Sequence, residues 1–361
     1  MLRDAPSAQT MYKVALTLLI GTLGGVALTL AGLPAAWMSG AMIAVAAAAL
    51  GRLPIALPDP LRNGLFVILG LSMGAGVTPD VVVRISHWPW TMAGLILVVV
   101  LVTAATYTYL HGWLKWDRET AYFGAIPGAL SYVFAIASER NVDLTRIAAS
   151  QSIRLLILIA VLPLVITSTA ENPPHGLEHE VMPSLAQMAV LLGLCISASL
   201  IAVRLGVPGG WLTGAFFMSS ALNASGTLPV ALPEPVLIPC YIGLGCFVGS
   251  RFQSTTIGVF LSLLKAGLGA VAVGLVVSTC MALVVSVVMQ MPFGQLLLAY
   301  APGGLEVMTL LAFMLDMDPA FVAAHQLVRY IGMVLLLPFA TRMILGAIKP
   351  SVSDAPGVSG K

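Results

Sequence analysis

Pro302-Gly303-Gly304-Leu305-Glu306 interrupts an otherwise apolar run over residues 294–315. The proline removes a backbone donor and the two glycines add conformational freedom, so a helix through this stretch is predicted to break. At membrane depth such a break persists only where protein or a water-filled cavity satisfies the freed backbone groups. Glu306 places a carboxylate at the break, and an ionisable group at that depth is a candidate functional residue. Pro127-Gly128-Ala129-Leu130-Ser131 repeats the pattern 175 residues earlier. Paired broken segments at corresponding places in two halves of a chain point to a transporter's binding site.

Composition sets the class. The 361-residue chain is 59% hydrophobic and only 9% charged, against about 25% charged in soluble domains. We read it as an all-α polytopic membrane protein whose first partner is the lipid bilayer. A net charge of +2 without a basic stripe or a DNA-binding helix pair argues against direct nucleic-acid binding. Cys195, Cys240, Cys246 and Cys280 show no CxxC spacing and lie in apolar runs, which predicts buried free thiols and no disulfide or metal role. Residues 12–30 lack a small-residue cleavage site after a short apolar core and read as a retained span.

Six apolar segments occupy the first half, at 12–30, 35–51, 63–79, 90–110, 119–138 and 144–169. Six more follow at 185–203, 209–226, 236–250, 258–289, 294–315 and 319–345. This divides the chain into a first membrane repeat (1–170), a polar linker (171–184), a second membrane repeat (185–349) and a disordered tail (350–361). A span needs about 20 residues, so 35–51 and 63–79 are short; their Gly and Ala content suits close helix packing.

The repeat is visible residue by residue. Gly32-Leu33-Pro34-Ala35-Ala36-Trp37-Met38-Ser39-Gly40-Ala41 aligns with Gly206-Val207-Pro208-Gly209-Gly210-Trp211-Leu212-Thr213-Gly214-Ala215. Asp143, Gln151, Arg154 and Pro163 align with Asp318, Gln326, Arg329 and Pro338 at the same offset of 175 as the broken segments. Lys and Arg near both termini, and none in the linker, place the termini on the cytoplasmic side and the linker outside. That arrangement needs an odd number of crossings per half, and so inverted repeats with about ten crossings. Twelve crossings with parallel repeats is the rival.

The polar residues of the two repeats are the candidate substrate- and ion-binding set. Glu306 can carry a proton or sodium ion, or stand at a wet rim; its counterpart is Ser131, so any coupling site is asymmetric. Gln326 and Arg329 share a helix face, as do Gln151 and Arg154. A guanidinium at that depth needs a partner: an anionic solute, Glu306, or a structural pairing with carbonyls. His325 is either titratable near neutrality or a hydrogen-bonded packing residue. Pro127, Gly128, Pro302, Gly303 and Gly304 form the helix breaks. Asp143 and Asp318 read as N-caps, and Trp37 and Trp211 as interfacial anchors. The five histidines, His87, His111, His175, His179 and His325, are too dispersed to suggest a copper site.

The duplicated Gly-Leu-Pro-x-x-Trp element, the Pro-Gly-[Gly/Ala]-Leu element and the Gln-x-x-Arg pair resemble the AbrB-type duplicated membrane proteins over residues 12–345. That resemblance brings two labels, regulator of gene expression and ammonia monooxygenase. More distantly, Leu69-Gly70-Leu71-Ser72-Met73-Gly74 and the Pro302 break resemble the cation/proton antiporter and bile-acid-symporter superfamily, which implies two crossing, unwound helices at an ion and substrate site.

The sequence therefore predicts a secondary transporter of a small, anionic solute coupled to protons or sodium, in a bacterial-type cytoplasmic (inner) membrane. A membrane-embedded regulator acting indirectly on gene expression is the alternative. No cofactor, metal or catalytic role is expected, and the reading leaves room for a homo-oligomer.

Overall fold

The computed structural model describes residues 8–75, 88–128, 130–140, 142–169, 185–207, 209–225 and 232–346. The linker, the tail, His87, His175 and His179 lie outside the described residues. The first half comprises α1 (Ala8–Leu30), α2 (Ala36–Leu50), α3 (Asp59–Ala75) and α4 (Trp88–Tyr107), which widens into a π turn over Thr108–Trp113. It continues with α5 (Arg118–Ala125), α6 (Leu130–Ala137) and α7 (Leu144–Thr169). The second half comprises α8 (Leu185–Arg204), α9 (Gly210–Ala224), α10 (Glu234–Ser250), α11 (Ile257–Met289), α12 (Phe293–Tyr300), α13 (Leu305–Met314) and α14 (Pro319–Leu345).

Among the described residues, seven helices are long and apolar enough to cross a membrane. Their outer faces carry large apolar side chains: Trp90, Val100, Val276, Val287 and Phe339 are each more than half exposed. Soluble chains avoid apolar surface on that scale. The protein is an all-helical, polytopic membrane protein.

The order of elements recurs. α2 and α9 both have 15 residues, and each begins from a left-handed residue, Ala35 (φ 52°) or Gly209 (φ 60°). α3 and α10 both have 17 residues. Asp143 accepts from the Arg146 amide at the start of α7, and Asp318 accepts from the Ala320 and Phe321 amides at the start of α14. Both aspartates are the N-caps that their sequence context predicts.

Small residues set the packing of the short helices. α3 lies parallel to α9, with Gly70 against the Leu212 carbonyl and Gly74 against that of Phe216. α10 lies parallel to α2 in the same way, with Gly245 against Met38 and Gly249 against Met42. α1 meets α2 where Gly24 faces Gly40, and α8 meets α9 where Gly214 faces Ser199. Lipid tails are as apolar as a leucine, so helices associate here through close van der Waals fit and backbone approach. Around this frame, Met38, Met42, Leu69, Met73, Phe216 and Leu244 join Leu296–Tyr300 of α12 and the following Ala301 in one buried cluster.

One expectation needs correction. Cys195, Cys240 and Cys246 are buried free thiols, but Cys280 is exposed. It sits on α11, where Val276, Leu283 and Val284 are also exposed; an outward thiol in an apolar run faces no penalty that would drive it inward.

Gly70→Ala and Gly245→Ala would each push a methyl into the opposing helix backbone, an overpacking cost of about 1–3 kcal/mol. Thermal unfolding in detergent should show a lower midpoint for both. Gly64→Ala, at an exposed α3 position with nothing within 4 Å, should leave the midpoint unchanged or raise it.

Candidate functional site

The site is built on two interrupted helices. The first ends at Ala125 and resumes at Leu130; the second ends at Tyr300 and resumes at Leu305. Pro127 and Gly128 fall in one gap, and Pro302, Gly303 and Gly304 in the other. Gly128 has φ +89°, a conformation that glycine adopts without a Cβ penalty. The gaps meet: a Cβ on Gly128 would lie 3.6 Å from the Gly303 carbonyl oxygen and 3.5 Å from Arg329 Nη2.

A broken helix leaves carbonyls without their amide partners, and α14 supplies the replacements. Arg329 Nη1 donates to the Ala301 carbonyl (2.6 Å) and Nη2 to that of Gly303. Gln326 Nε2 donates to Leu298 (2.9 Å) and Ala299 (3.2 Å). In the first half, Arg154 Nη1 donates to Ile126 (3.2 Å), the position aligned with Ala301, and Nη2 to Gln151 Oε1 (3.5 Å). The two Gln-x-x-Arg pairs thus serve the two breaks by one geometry.

The matching is incomplete. Arg154, Arg329, Gln151 and Gln326 are all more than nine-tenths buried, yet among the described residues Arg154 Nε, Arg329 Nε, Gln151 Nε2 and Gln326 Oε1 have no hydrogen-bond partner. Arg154 and Arg329 are also within electrostatic range of each other. Ion pairs among the described residues join Arg62 to Asp59, Arg140 to Glu119 and Arg146 to Asp143; none neutralises either buried arginine. Of the partners open to Arg329 from sequence, the structure selects backbone carbonyls and not Glu306.

Glu306 lies in the first turn of α13, half-buried. Its side chain turns to the start of α9, where a Cβ on Gly209 would come 2.9 Å from Oε1. Helix N-termini carry partial positive charge, so a carboxylate between the first turns of α13 and α9 is well placed. Arg251 and Tyr330 are its electrostatic neighbours. Gly209 was not among the residues singled out, although its sequence carried a signal: the first repeat has Ala35-Ala36 where the second has Gly209-Gly210. The side chain of Ser131, aligned with Glu306, lies outside the described residues.

His325 is fully buried and apart from the breaks' arginines in its contacts. Nδ1 faces the Phe321 carbonyl at 2.8 Å, and because a carbonyl only accepts, Nδ1 carries the proton. Nε2 stands 2.8 Å from the Thr91 hydroxyl oxygen, and that hydroxyl also reaches the Trp88 carbonyl at 2.9 Å. Phe321 stacks on the ring with centroids 4.0 Å apart, and Trp88 and Tyr300 complete the enclosure. These contacts are those of a hydrogen-bonded packing residue. Trp37 and Trp211 are half-buried, with Trp37 against Gly25 and the Trp211 carbonyl accepting from Ser199.

Comparison with known proteins identifies the family. A family model described as "Transition state regulatory protein AbrB" matches residues 37–345. The chain belongs to the AbrB family. A relative named "Putative regulator AbrB" in Escherichia coli (strain K12) is 24% identical over 321 residues, covering 86% of this chain and 90% of the relative. "Uncharacterized protein YhjN" of Bacillus subtilis (strain 168) is 25% identical over 358 residues, covering 90% and 91%. The AbrB match contains both breaks and both Gln-x-x-Arg pairs, so the site lies inside the family's shared region.

Gly209→Ala should lower the unfolding midpoint, because it combines left-handed strain of about 1–2 kcal/mol with a clash against Glu306. Glu306→Ser, the residue type of the first repeat, removes the clashing carboxylate. In a double-mutant cycle the second change should recover part of the loss caused by the first; strictly additive midpoints would show that the two side chains do not interact.

Proposed function

We propose that this AbrB-family protein is a secondary transporter of a small, anionic solute coupled to protons or sodium. One observation carries the reading: two buried guanidinium groups stand at two facing helix breaks with no carboxylate among the described residues paired to either. An unmatched buried polar group costs about 1–3 kcal/mol, more when charged. Arg329 Nε, Arg154 Nε and Gln151 Nε2 are N–H groups in that condition, and an anion between the breaks would accept from them. Broken helices at the meeting of two halves are the architecture in which transporters bind solutes.

We read the repeats as inverted, because Lys and Arg near both termini and none in the linker require an odd number of crossings per half. We place the protein in the cytoplasmic membrane with both termini inside, from the Lys and Arg distribution. Glu306, half-buried beside the second break and without an ion pair, is the proposed coupling residue.

The names of the family and of the Escherichia coli relative favour a second reading, a membrane-embedded regulator. On that reading the effect on gene expression is indirect and follows from a changed intracellular solute.

Glu306→Gln should abolish coupled flux in proteoliposomes while leaving insertion and the unfolding midpoint near those of the wild type; unchanged flux would assign Glu306 to a wet rim. Arg329→Gln should weaken carboxylate binding at least tenfold in competition assays on purified protein. Binding of amines in preference to carboxylates of similar size would overturn the anionic solute.

A further inference from the structure

A cavity of about 570 Å³ lies between α4 and α14. Pro127 and Arg329 close its inner end, Arg118 and Ile344 stand at the other, and the wall between is apolar. Ile96, Val100 and Leu336 line it and are 60%, 59% and 63% exposed. In a helix bundle whose outer faces are apolar, such a mouth opens sideways onto lipid and not onto water. From Val328 to Ile344 the α14 wall runs about 24 Å at 1.5 Å per residue.

At the matching place in the other half, α11 seats Gly267 on Ile153 of α7. α4 meets α14 near its start, where Thr91 stands 2.8 Å from His325 Nε2, and the groove opens beyond that contact, from Leu95 and Val328 onward. Its charged lining residues are Arg118 and Arg329, with no acidic group. Arg118 donates to the Ile344 carbonyl (2.5 Å); Arg329 keeps a buried Nε without a partner.

We propose that the groove holds the hydrocarbon tail of a single-chain carboxylate whose head group sits at Arg329, so that the solute is an amphiphilic anion admitted from the lipid side. This rests on the anionic-solute reading and narrows it. A phospholipid acyl chain would fit the apolar wall, but it would bring no negative charge to the inner end. The charge complement of the groove favours the carboxylate.

The test is binding of straight-chain monocarboxylates from two to ten carbons to the full-length protein in nanodiscs, beside alkylamines of the same lengths. Burial of each methylene is worth roughly a fourfold gain in affinity, so carboxylate affinity should climb with length and amine affinity should not. Gly332→Phe, which fills the groove wall where nothing lies within 4 Å of the glycine, should flatten the climb. Arg329→Gln should weaken the long carboxylates at least tenfold. Carboxylates that bind with no dependence on length would overturn the tail groove and leave the anionic-solute reading standing. Equal slopes for amines and carboxylates, or a loss with Arg118→Gln and none with Arg329→Gln, would overturn the head-group position. No binding at any length would overturn both readings.

Discussion

Carbonyl oxygens freed by a broken helix have to find donors where water is scarce, and much of this structure follows from that need. The half-helix α12 ends with Leu298, Ala299 and Ala301 pointing at α14, and four hydrogen bonds from Gln326 and Arg329 meet it and Gly303. A lysine could offer charge but not the planar fork that reaches two carbonyls across a Pro-Gly kink. The arginine also ties α14 to the break, so any movement of α14 must either carry the break along or exchange these bonds. A ligand that accepts from the same guanidinium would change the balance between those two outcomes, which is how binding at one point can bias a helix 27 residues long.

The second constraint is backbone proximity. Gly70, Gly74, Gly245 and Gly249 bring four short helices together so closely that no side chain fits between them. The frame they form has little freedom to slide, because small shifts create contacts that packed interiors do not tolerate. α4 and α14 meet closely at Thr91, Trp88, Phe321 and His325 and part only beyond that contact, along the groove.

Much of this was legible in the sequence, for local reasons. Proline and glycine at 127–128 and 302–304 report a break whatever surrounds them, and Asp318 before Pro319 reports a helix start. The shared offset of 175 linked Arg154 to Arg329, and the structure gives the two residues equivalent carbonyl partners. What stayed hidden depends on three-dimensional direction. Nothing in Glu306 or Arg329 alone reveals that one turns to Gly209 and the other to Ala301, since either could have reached the other. Nothing in the sequence around His325 shows that its ring lies between Thr91, Phe321 and Trp88. The groove is invisible because it arises from a separation between helices, and apolar residues read the same whether they touch protein or lipid.

The asymmetry between the halves is where the chain departs from its own duplication, and it is not confined to one residue. The second half has Glu306 where the first has Ser131, and Gly209 where the first has Ala35. Ala35 adopts the left-handed conformation at a cost that glycine at position 209 avoids. A Cβ at 209 would also come within 2.9 Å of Glu306 Oε1, the end of a flexible side chain. The second half thus pairs a carboxylate in α13 with a glycine at the start of α9. Left-handed geometry accounts for the glycine, and the partial positive charge at the start of α9 accounts for where the carboxylate turns. What the duplication leaves without a counterpart is the charge itself, since the first half has Ser131 at that position.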